Sequence, residues 1–93
     1  MTATTVIVQL PPVFYEDHVD RVGGYEPVGT VVRSTKRHVF VELDAAAYDE
    51  LLSDARHYAD TQQFPEFLGL VTSAKATVRA LAKVERPIAE PGG

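Results

Sequence analysis

The chain contains no cysteine. That excludes disulfides, thiolate zinc sites and cysteine nucleophiles, and it fits a reducing compartment. The opening Met1-Thr2-Ala3-Thr4-Thr5-Val6-Ile7-Val8 lacks the basic start and long apolar stretch of a secretory leader. The longest uncharged run in the C-terminal half, Phe67 to Ala74, is far too short to cross a bilayer. A cytoplasmic protein without membrane contact is the expectation. No internal repeat and no low-complexity segment is found. Gly23-Gly24 is no phosphate loop, because it lacks a following lysine and a strand–helix setting. No serine sits in a nucleophile elbow, and no histidine–acid–nucleophile spacing is evident. A non-enzymatic protein with no cofactor and no bound metal follows as the expectation.

What remains is a 93-residue chain with a net charge of −4. That length makes one small domain, for which a partner subunit would supply useful extra burial. The charge is segregated. Residues 1–27 carry one base and four acids, and residues 44–66 carry one base and six acids. Residues 28–43 carry three bases against one acid, and residues 67–93 carry four bases against two acids. The overall sign argues against broad nucleic-acid affinity, while two local basic patches remain.

The clearest pattern lies between His38 and Asp60. His38-Val39-Phe40-Val41-Glu42-Leu43 alternates like a strand. Asp44 can then accept from the free N–H groups of a following helical turn. Beyond it Tyr48, Leu51, Leu52, Ala55 and Ala59 recur at helical spacing, so the apolar period switches at one residue. Thr4 to Leu10 is a β-branched run that reads as a first strand, with Val6, Val8 and Leu10 on one face. Pro11-Pro12 ends it, and residues 13–27 have no firm placement beyond a helical turn that could tuck Phe14 and Val19 against the sheet edge.

Val28 to Arg33 and His38 to Leu43 read as hairpin arms with Arg33 opposite His38. Val32 would then face Val39, and Thr30 would face Val41. The other face would carry Val31 opposite Phe40. Pro65 suits the start of a second helix. Its buried stripe is Leu70, Val71, Ala74, Val78, Leu81 and Ala82. The expected fold is α+β: a three-stranded, mostly antiparallel sheet with a C-terminal two-helix hairpin on one face. Residues 1–86 form the domain and 87–93 a disordered tail.

Three pieces carry a resemblance: Phe14 to Arg21, His38 to Asp44, and Leu51 to Asp60, followed by Leu70 and Ser73 to Leu81. In this order they resemble small accessory proteins of actinobacteria and their phages without an assigned activity, over roughly residues 6 to 82. The resemblance supplies no catalytic residues. It implies a phage or prophage protein inside a bacterial host that binds a host or phage protein, an inference by analogy.

Four candidate sites follow. Glu16-Asp17-His18 with Asp20 has metal-ligand chemistry but poor convergence, so a solvated loop is the preferred reading, with His18 and His57 exposed. Lys75, Arg79 and Lys83 form a straight basic row on the second helix, suited to phosphate. Pairing of that row with Glu50 and Asp54 on the first helix is preferred. Arg33, Lys36, Arg37 and His38 make a basic hairpin tip. Finally, Ile7, Val31 and Phe40 would share the outer sheet face beside Arg33, His38 and Glu42, an apolar patch of the kind that binds protein. The alternative is that residues 13–27 cover this patch with Phe14 or Tyr15. The preferred function is a non-catalytic protein–protein interaction module, expected as a homodimer, with Ile7, Val31, Arg33, His38 and Phe40 as contacts. The second is a nucleic-acid-binding regulator using Lys36, Arg37, Lys75, Arg79 and Lys83.

Overall fold

The computed structural model describes residues 4–22, 28–60 and 68–88. In chain order the elements are β1 (Val6–Leu10), α1 (Pro12–Val22), β2 (Thr30–Ser34), β3 (Val39–Leu43), α2 (Ala45–Ala59) and α3 (Leu68–Ala82). The strands form one antiparallel sheet in the order β1-β3-β2. This is the expected α+β arrangement, with α2 and α3 packed together as a pair. No helix among the described residues is long and apolar enough to cross a membrane. The Pro65 expectation falls outside the described residues.

The strand–helix switch at Asp44 has the expected chemistry. Asp44 is extended at φ −86° and ψ −177°, and its carboxylate accepts from the Ala47 N–H at 2.8 Å. One face of the sheet, Val8, Leu10, Val39, Val41 and Leu43, is buried against the helices. Tyr48, Leu51 and Ala55 of α2 and Val71, Ala74 and Leu81 of α3 complete the core. The Tyr48 hydroxyl donates to the Leu81 carbonyl at 3.0 Å and pins the two helices together. Thr77 also lies in this buried stripe; its hydroxyl is satisfied by the Ser73 carbonyl one turn back, at 2.9 Å. Ala82, assigned to the stripe from its spacing, is exposed because α3 is ending there.

Three features differ from the sequence reading. First, residues 12–22 form a full helix. Pro12 opens it, where a missing N–H costs nothing, and Phe14, Tyr15 and His18 fall on its buried side. The helix packs on α2 and α3, so Phe14 and Tyr15 enter the core and do not cross the outer sheet face.

Second, the hairpin register differs. Thr35 closes the loop: its N–H donates to the His38 carbonyl at 2.8 Å, and its hydroxyl accepts from the His38 N–H at 3.0 Å. Ser34 therefore opposes Val39 and Arg33 opposes Phe40. A bulge at Val32 then shifts the strand by one residue, so Val31 opposes Val41. Because paired residues share a face, Val31 lies on the helix side of the sheet, away from Phe40. It stays 45 % exposed because β2 is an edge strand whose five residues are all exposed.

Third, packing continues past residue 86. Pro87 is buried, and the Ile88 carbonyl accepts from the Thr4 N–H at 3.3 Å.

Candidate functional site: a cationic groove beside the first strand

Two clusters of polar side chains stand out, and they have opposite characters. One is buried. His18 of α1 has no exposed surface, and its Nδ1 donates to Asp54 of α2 across 2.5 Å. The same carboxylate oxygen accepts from Arg21 at 2.5 Å, and Arg21 also pairs with Asp17 one turn earlier in α1. The Arg21 guanidinium lies over the Tyr58 ring at 4.1 Å and near the Phe14 ring at 5.3 Å. This arrangement overturns the exposed placement of His18. It also takes Asp54 away from α3, where interhelical pairing had placed it.

A carboxylate holding Nδ1 is how many acid–base histidines are oriented. Here, however, Nε2, the atom that would exchange a proton with a substrate, is sealed from solvent and has no hydrogen-bond partner among the described residues. The cluster therefore joins α1 to α2. Among the described residues no three His, Asp, Glu or Cys side chains converge on a point that could hold a metal.

The other cluster is open. A groove of about 570 Å³ runs between β1 and α3. Ile7 and Gln9 of β1 and Phe40 of β3 form one wall, and His38 also lines the groove. Ala76 and Ala80 of α3 keep the opposite wall low, and Arg79 and Lys83 stand along it. Small residues make the groove, because anything larger at those two positions would fill it. Ile7 is 54 % exposed, well above what an apolar side chain shows inside a core. Phe40 is half-buried, and the Arg33 guanidinium lies 5.6 Å from its ring centre.

The groove's electrostatics follow from what lines it. Arg79, Lys83 and His38 contribute donors or positive charge, and no carboxylate is among the described residues that line it. None of the ion pairs formed among the described residues involves Lys75, Arg79 or Lys83. The basic row is thus not neutralised by α2, whose Asp49 pairs with Arg86 and whose Asp54 is held by His18 and Arg21.

The structure thus brings together members of two sets that the sequence kept apart. Ile7, His38 and Phe40 of the proposed protein contact share one groove with Arg79 and Lys83 of the proposed phosphate contact. Arg33 lies beside it through Phe40, and Lys75 continues the row one turn earlier. Val31 is excluded by the bulge, and Lys36 and Arg37 occupy the exposed loop between β2 and β3. Gln9, Ala76 and Ala80 were missed. The alternation that exposes Ile7 also exposes Gln9, but nothing local links residue 9 to residues 76–80.

Comparisons with protein-family models, with curated proteins and with solved structures find no match.

Proposed function

We propose that this protein is a non-catalytic protein-interaction module whose docking surface is the groove between β1 and α3. One observation carries the reading: exposed Ile7 and half-buried Phe40 stand beside Arg79 and Lys83, which have no ion-pair partner among the described residues. An apolar centre with an Arg-containing polar rim is the make-up of a protein interface. A partner other than a second copy suits this surface better than the homodimer expected from the sequence. Two-fold pairing through the groove would set one cationic rim against another. The resemblance over residues 6–82 gives the setting of this proposal, a phage or prophage protein acting on a host or phage protein in the bacterial cytoplasm.

A nucleic-acid-binding role is the second reading, supported by the same Lys75, Arg79 and Lys83, which form no ion pair among the described residues. It is disfavoured by Phe40, because Arg33 already lies over the ring a base would stack on. Selection of random peptides on the immobilised protein tests the first reading. Enriched peptides should lose binding to Phe40→Asp and keep it with Lys36→Ala. Failure of any enriched peptide to depend on Phe40 would remove the groove from consideration.

A further inference from the structure

The two walls of the groove differ in chemistry, and their spacing constrains what fits between them. Lys75, Arg79 and Lys83 recur every four residues along α3 and the turn that ends it. Four helical residues advance about 6 Å along the axis. Alternate residues of an extended chain are separated by about 6.6 Å and point to the same side. A strand-like segment lying along α3 therefore brings every second side chain opposite one cation of the row. Its intervening side chains point the other way, toward Ile7 and Phe40.

We propose that the partner presents an extended segment in which acidic and apolar residues alternate, acids toward Arg79 and Lys83 and apolar side chains toward Ile7 and Phe40. The inference rests on the protein-binding reading and adds the chemistry of the partner. Charge complementarity argues for it, since among the described residues the groove is lined by two full cations and no carboxylate. The segment is held by its side chains and does not extend the sheet. Val8 is only 2 % exposed and Leu10 fully buried, and the Ile88 carbonyl already occupies the Thr4 N–H just before β1, so these positions offer no open ladder. A second copy of the chain is the poorer occupant, because it would bring its own cationic rim.

Fluorescence anisotropy with three labelled probes tests this: a peptide carrying Asp-Leu-Glu-Leu-Asp, a block isomer with the acids grouped before the leucines, and a thymidine oligonucleotide. The alternating peptide binds, and the block isomer binds about tenfold more weakly, the effect of losing roughly one well-placed charged contact. The Arg79→Glu/Lys83→Glu variant loses the alternating peptide and gains one with lysines in place of the acids. This reciprocal rescue also shows that the variant is folded. Equal binding of the two isomers, or binding unchanged by the charge reversal, overturns the proposal. So does an oligonucleotide that binds through Arg79 and Lys83 while the acidic peptide does not. Peptide selection separates this failure from that of the broader reading. Phe40-dependent peptides without acids would leave a protein-binding module and discard the acidic segment. An absence of Phe40-dependent peptides would discard both.

Discussion

Asp54 holds His18 from across a helix boundary, with 2.5 Å between the carboxylate and Nδ1 and no solvent on the imidazole. Because a carboxylate can only accept, the proton on Nδ1 is fixed, and the ring is oriented by its partner. Asp54→Ala leaves His18 and Arg21 without their shared acceptor, and His18→Ala removes a buried ring as well. Each should lower stability by about 2–4 kcal/mol, as for the breaking of a buried polar pair. Urea unfolding of both single variants and the double variant should give coupling of about 1–3 kcal/mol. Additive losses would mean that the contact contributes nothing as a pair.

Gly29 has φ of +83°, and a Cβ there would run into the Leu43 side chain and come within 2.8 Å of the Glu42 carbonyl oxygen. Gly29→Ala therefore combines an unfavourable backbone with a clash against β3, and should destabilise by about 2–4 kcal/mol. Gly69 is the control. It lies in α3 with open space around it, so Gly69→Ala should stabilise by about 0.5–1 kcal/mol. Thermal melts of the two variants should move in opposite directions.

Burial pushes the Tyr15 hydroxyl above its ordinary value of 10.0, and it donates to the Val28 carbonyl at 2.9 Å. Below the ordinary value the hydroxyl is protonated in both folded and unfolded chains, so its contribution is fully present. Above it, the unfolded chain releases the proton first, and stability falls as pH rises toward the folded-state value. Tyr15→Phe should lose about 1 kcal/mol near neutrality and show a shallower decline above pH 10. Urea midpoints followed from neutral to alkaline pH would detect both effects. Parallel declines in the two proteins would exclude Tyr15 as their source.

Arg86 and Asp49 approach to 2.6 Å, yet both side chains are more than half exposed. Water competes for both charges and salt screens them. Arg86→Ala should therefore leave the urea midpoint nearly unchanged. A large loss would show that the tail's packing through Pro87 depends on this ion pair.

The sequence displays α2 openly because the change of period at Asp44 is a local signal. It displays the paired helices for the same reason. The first helix is hidden by Pro11-Pro12, which terminates β1 and also opens α1; the terminating role is the one that stands out. Its buried stripe includes His18, a residue that looks solvated until Asp54, 36 positions away, is brought to it. The bulge at Val32 is invisible for another reason. It depends on how Thr35 closes the loop, and register arguments that assume a regular ladder pass over it. The groove is partly legible: Ile7, Phe40, Arg79 and Lys83 each carry a signal in the sequence, but those signals point to different partners. Only the placement of α3 beside β1 unites them.

The irregularity at Val32 has a consequence for how the molecule behaves in company. A neighbouring chain can zip onto a sheet margin only when the margin offers a regular ladder of donors and acceptors. With one residue too many and a guanidinium immediately after it, β2 offers a broken ladder guarded by charge. At high concentration the protein should therefore stay dispersed and resist fibre formation, despite a strand left bare along its whole length.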